Sequence, residues 1–224
     1  MTTARFGDVD LLLREPAEPE PAGALILNHG RGADEHDLFP LLEALDPERR
    51  LLGITTGAPI QGMAPGGRHW YIVERIGFPH EETFHASYAA LAELLDRTLA
   101  ERGIDWDRTV LGGFSQGAVM SYAIGLGEGR PTPAGLLAIS GFIPEVERFE
   151  IEVEEREGLA VQIHHGAADP VIEAGFGRRA AEELRASGLQ VEHLETDVGH
   201  AIAPESVAAA RGFVANRIPT GVSG

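Results

Sequence analysis

Val110-Leu111-Gly112-Gly113-Phe114-Ser115-Gln116-Gly117-Ala118 is the stretch whose reading decides the fold. An apolar run enters it, a Gly-x-Ser-x-Gly pattern (Gly113 to Gly117) turns it, and Val119-Met120-Ser121-Tyr122-Ala123-Ile124 leaves it as a buried helix. A strand that ends in such a turn and passes at once into a helix holds its serine at the tip in strained geometry, with the hydroxyl in open space. Glycines two before and two after the serine remove side chains that would strike neighbouring backbone. The following helix aims unpaired N–H groups and the positive end of its dipole at the same spot. Glycine is abundant (28 of 224 residues), so the pattern needs its flanking strand and helix to carry weight.

Working outward, length and composition predict one domain spanning residues 1–224 with a sizeable core, since 43% of the residues are hydrophobic. The absence of cysteine excludes disulfides, thiolate metal sites and a cysteine nucleophile. The first residues lack the apolar centre of a signal peptide, and no apolar run approaches the ~20 residues of a membrane span, so a cytoplasmic location is expected. Every basic residue is arginine, and the net charge of −17 disfavours nucleic acid and anionic membrane surfaces as partners.

Strand and helix signals alternate along the chain. Val9–Leu13, Ala24–Leu27, Leu51–Thr55, Gly135–Ser140, Leu159–His164 and Gln190–Glu195 read as strands. Asp34–Leu45, Thr83–Arg102, Glu173–Ser187 and Pro204–Arg217 read as helices, each of the first two with an apolar stripe at helical spacing. Three prolines between Glu15 and Pro21 mark a connection. Residues 56–80, rich in glycine and proline, are expected to form one long loop, and the acidic stretch from Glu145 to Glu157 a solvated surface excursion. The alternation predicts an α/β fold: a mostly parallel sheet with helices on both faces, and chemistry beyond the carboxyl ends of its strands.

That rule selects partners for Ser115. In α/β folds with such a serine turn, the acid and then the histidine follow the nucleophile in the chain. His200 lies in a loop past the last strand, whereas His164 and His193 fall within or at the end of strands and His165 in the next turn. Asp169, in Gly166-Ala167-Ala168-Asp169-Pro170, follows a strand; Asp197 is the competitor. The expected oxyanion donors are the backbone N–H groups of Gln116 and of Arg31, the latter in the glycine-rich turn His29-Gly30-Arg31-Gly32. His29 is read as a structural histidine. Trp70, Ile143 and Val171 are expected near the acyl group, from loop position alone.

These residues resemble the carboxylesterase/phospholipase family of α/β-hydrolases, which includes acyl-protein thioesterases and small bacterial carboxylesterases. The resemblance runs from about Ala24 to about Phe213. It rests on Asn28-His29-Gly30-Arg31-Gly32 with Glu35-His36-Asp37-Leu38, on Gly113-Phe114-Ser115-Gln116-Gly117-Ala118, on His165-Gly166 with Asp169 and Val171, and on Gly199-His200. It implies a single-domain α/β-hydrolase fold, a triad of Ser115, Asp169 and His200, and no cofactor or metal. The implied substrate is a small-molecule ester or thioester, and the implied state a monomer or homodimer. Tyr71-Ile72 departs from the family's aromatic segment, where phenylalanine and aspartate are frequent. The expected activity is hydrolysis of carboxylic esters of small to medium acyl groups. The alternatives are a thioesterase or lysophospholipase acting on longer acyl chains, and a hydrolase-fold binding module without catalysis.

Overall fold

The apolar runs become the centre of one sheet because each is buried on both faces. Strands β3 (Gly23–Asn28), β4 (Leu51–Gly57), β8 (Gly135–Ile139) and β9 (Ala160–Gly166) are buried along their whole length, and β7 (Thr109–Phe114) nearly so. The computed structural model describes residues 2–6 and 9–218. Two further strands, β1 (Thr2–Phe6) and β2 (Val9–Arg14), form an antiparallel hairpin at one edge, and β10 (Gln190–Thr196) closes the other. The order across the sheet is β1-β2-β4-β3-β7-β8-β9-β10. From β4 to β10 every pairing is parallel, so the carboxyl ends of β3, β7, β9 and β10 open on the same side.

Helices cover both faces, as the alternation predicts. Helices α2 (Glu81–Glu101), α3 (Gln116–Leu126) and α4 (Ala174–Ala186) pack on one face, through Leu91, Leu95, Val119, Met120, Ala181 and Leu184. Helices α1 (Phe39–Leu45) and α5 (Pro204–Arg217) pack on the other, through Leu42, Leu45, Ala210, Phe213 and Val214. Helix α3 is buried on all sides, which accounts for its mostly apolar sequence, with the polar Gln116 and Ser121 hydrogen-bonded. Among the described residues no helix is long and apolar enough to cross a membrane.

Three expectations change. The first helix begins at Phe39 rather than Asp34, with Pro40 in its first turn, where a missing N–H costs nothing. The stretch 56–80 is not one loop. It contains a small hairpin of β5 (Val73–Arg75) and β6 (Phe78–Pro79), turned by Gly77 at φ 93°, and bridges tie Ile60 to His69 and Ala33 to Arg68. The acidic stretch is anchored rather than merely solvated. Phe149, Ile151 and Val153 pack against the core, and the buried Arg156 guanidinium donates to the carbonyls of Gly127 and Arg130 (both 2.9 Å) and to Thr132 Oγ1 (2.9 Å). A side-chain alternation of period two was legible there; the arginine that staples it down was not.

Two buried histidines give the fold an acid limit. Burial holds His29, which follows β3, and His164, on β9, down to about 4. Both stay neutral in the folded chain while their unfolded counterparts take up a proton near pH 6.5, so stability is full above that value and falls as the pH drops towards 4. Urea unfolding at pH 5 should show a loss of about 2 kcal/mol per ring relative to pH 7. His164→Leu should recover about half of it. A stability that is flat or rises between pH 7 and pH 5 would contradict this.

Candidate active site

The turn between β7 and α3 carries Ser115 at φ 54°, ψ −121°, a conformation that side-chain-bearing residues rarely adopt and that costs about 1–3 kcal/mol. Two features hold it there. The Ser115 N–H donates to the Ile139 carbonyl of β8 (2.9 Å), and the β3 turn presses directly against it. A Cβ on Gly117 would collide with the carbonyl oxygens of Asn28 and His29, and one on Gly30 would stand 3.3 Å from the Ser115 Cβ. Glycine is therefore required at 117, and at 30 it keeps a tight contact free of strain. Beneath it, Thr56 Oγ1 donates to Asn28 Oδ1 (2.5 Å), and Asn28 Nδ2 donates to Ser121 Oγ (2.9 Å), joining β4, β3 and α3.

Three side chains far apart in the sequence meet above the strand ends. Ser115 Oγ is 2.9 Å from His200 Nε2, and His200 Nδ1 is 2.7 Å from Asp169 Oδ2. The other Asp169 oxygen accepts the N–H groups of Val171 (2.8 Å) and Ile172 (2.9 Å). Burial pushes the Asp169 carboxyl up, but the bonds from His200, Ile172 and Val171 outweigh it and leave it below the ordinary carboxylate range. An anionic Asp169 accepts, so His200 carries its proton on Nδ1 and offers the Nε2 lone pair to the serine hydroxyl. The loops after β9 and β10 are joined by backbone bonds, Ala167 N–H to Thr196 O (2.8 Å) and Ala168 N–H to Val198 O (3.1 Å). Behind Asp169, the fully buried His165 donates Nε2–H to the Ile172 carbonyl (2.8 Å), bracing the turn that supplies those N–H groups. Asp197 makes no contact of this kind with His200 among the described residues.

The turn after β3 is pinned by groups that the sequence did not mark as a unit. The His29 ring accepts the Ala58 N–H on Nε2 (3.0 Å) and donates Nδ1–H to the Gly30 carbonyl (2.6 Å). Trp70 Nε1–H donates to the His29 carbonyl (2.9 Å). The Gln116 side chain receives the Trp70 N–H on Oε1 (3.0 Å) and donates Nε2–H to the Tyr71 carbonyl (2.9 Å). The residue after the serine thus clamps the 70–71 segment with its amide while its own backbone N–H, at the first position of α3, has no intrahelical acceptor. The exposed Arg31 lies in the same turn, next to Gly30.

Trp70 requires a correction. It is 0% exposed, and its indole N–H is already committed to His29, so it supports the turn from below and has no surface to offer an acyl group. Ile143 is half-buried beside Phe142 and Phe176, against the Gly77 turn. Val171 is 46% exposed next to Asp169. Sequence reasoning also missed the Phe114 ring, whose centroid lies 4.8 Å from that of the His200 imidazole.

Fold and site together are those of a serine hydrolase of the α/β-hydrolase type. The chain belongs to the phospholipase/carboxylesterase family, whose sequence profile matches residues 13–218. Acyl-protein thioesterase 1 of Debaryomyces hansenii is 28% identical over 223 residues, covering 90% of this chain and 94% of its own. The Bacillus cereus carboxylesterase superposes with a TM-score of 0.78 at 20% identity, covering 93% of this chain and 94% of its own. A carboxylesterase from Mesorhizobium loti does so with a TM-score of 0.79 at 21% identity, covering 95% and 98%. At these identities the two structures speak to the fold.

The Gln116 clamp is open to a direct check. Gln116→Leu keeps the volume but leaves the Trp70 N–H and the Tyr71 carbonyl without partners, and should cost about 2 kcal/mol or more in urea unfolding. A variant as stable as the parent would show that the clamp contributes nothing.

Proposed function

We propose that the chain, acting as one hydrolase domain, cleaves carboxylic esters of small to medium acyl groups through an acyl-serine intermediate. Ser115 is the nucleophile in this reading. His200 takes its proton, Asp169 orients and stabilises the imidazolium that forms, and the N–H groups of Arg31 and Gln116 receive the oxyanion. The leaving alcohol departs with the proton held on His200 Nε2. Water, deprotonated by the same nitrogen, then releases the acid from Ser115.

The observation that carries the proposal is the continuous relay from Ser115 Oγ through His200 to Asp169, at 2.9 and 2.7 Å, behind a serine at φ 54°. The half-buried Ile143 and exposed Val171 are assigned to the acyl side. Thioester hydrolysis is the second reading, supported by the name of the Debaryomyces hansenii relative, an acyl-protein thioesterase.

A panel of aryl esters of graded acyl length, run beside matched thioesters, separates the two. The ester reading expects kcat/KM to peak at short or medium acyl groups and to exceed the thioester values; the reverse order favours the second. In either case Ser115→Ala should lower kcat by about four orders of magnitude or more with the fold intact, and Asp169→Asn by a similar factor. Near-normal turnover by Ser115→Ala would refute the assignment.

A further inference from the structure

Beside His200, an open groove of ≈ 490 Å³ runs between α1 and the start of α5. One wall is Ile202 and Val207, the other Leu38, Leu41 and Ala44, and the Phe114 ring lines it next to the imidazole. We propose that this groove binds the leaving group of the substrate and selects an apolar, uncharged alcohol or thiol. The proposal rests on the roles assigned above to Ser115 and His200.

The direction of proton transfer fixes which part of the substrate reaches the groove. In the tetrahedral adduct the carbonyl carbon is bonded to Ser115 Oγ and to the leaving oxygen or sulfur. When that second bond breaks, its electron pair stays on the leaving atom, which takes the proton from His200 Nε2; the acyl group remains on Ser115. The leaving atom must therefore come within hydrogen-bond reach of Nε2. Whatever is bonded beyond it extends along the histidine, whereas the acyl chain diverges from the same carbon. His200 itself and the Phe114 ring packed against its imidazole both line this groove, which places it beside the leaving atom.

The chemistry of the lining sets the class of leaving group. Among the described residues, His200 and Asp37 are the ionisable groups that line the groove. Asp37 lies at the rim, where partial burial and then the nearby Asp34 charge raise its carboxyl above the ordinary value. An anionic alcohol would meet a carboxylate and no lining arginine, on a chain of net charge −17. An alkyl or aryl alcohol would meet leucine, valine, isoleucine and phenylalanine. The volume lies within the ~300–1,000 Å³ of small-molecule sites. Other cavities of the described residues lie elsewhere: one at the opposite ends of α1 and α5, around Asp46, Arg50 and Arg211, one in the acidic stretch 150–155, and a small one between Ile143 and Phe176.

The test uses kcat/KM, which for an acyl-enzyme pathway reports the steps up to departure of the alcohol. Acetate esters of n-alcohols from ethyl to octyl are compared in the parent protein, in Ala44→Phe, which fills the groove from α1, and in Leu41→Asp, which charges its wall. Both positions are half-buried surface sites, and a thermal unfolding scan verifies that each variant folds. In the parent, kcat/KM should rise about two- to fourfold per methylene until the groove is full. A carboxylate at the far end of the same alcohol should reverse the gain, and the rise should flatten in both variants. A flat alcohol series, or a slope that survives both substitutions, overturns the groove assignment and leaves the serine chemistry standing. Failure of the parent to hydrolyse either this series or esters of varied acyl length overturns that chemistry and the groove with it.

Discussion

The close approach of two backbone turns is the constraint on which the site depends. The turn after β3 and the turn between β7 and α3 touch so tightly that Gly117 has no room for a side chain against the carbonyls of Asn28 and His29. That contact holds Ser115 at positive φ and lifts its hydroxyl clear of the sheet. It also brings the Arg31 turn beside the amino end of α3, where unpaired N–H groups and the helix dipole favour negative charge. The parallel sheet supplies the rest. β9 and β10 end at the same level, so their loops deliver Asp169 and His200 without any large excursion of the chain.

Electrostatics then sorts the histidines by environment. His29 and His164 are buried and held neutral, with His29 spent on backbone bonds. His165 is consumed in bracing the turn after Asp169. Among the described residues, His200 alone faces both an anionic carboxylate and a serine hydroxyl. The same residue type thus serves the framework and, in the proposed mechanism, the chemistry, and what separates the two is the partner on each ring nitrogen.

Most of the fold was legible because the signals were local. Continuous apolar runs mark strands buried on both faces, Pro204 marks the start of α5, and the strand–serine–helix junction is written in nine consecutive residues. Ser115, Asp169 and His200 could be picked out because each follows a strand in the required order. What was not legible depends on distant pairs. Trp70 looked like a pocket aromatic on a loop, yet its indole is buried under a carbonyl forty-one residues away in sequence. Arg156 looked like one more charge in an acidic run, yet it closes that run against the end of α3. The groove beside His200 joins two helices separated by most of the chain, so no window of sequence contains it.

The central claim is that Ser115 is made nucleophilic by His200. It is tested most directly by reacting the protein with a fluorophosphonate and locating the adduct by peptide mass spectrometry. The account predicts a single covalent phosphonyl group on Ser115, formed at least about a thousandfold more slowly in His200→Ala. An adduct on another residue, or equal rates in parent and variant, would contradict it.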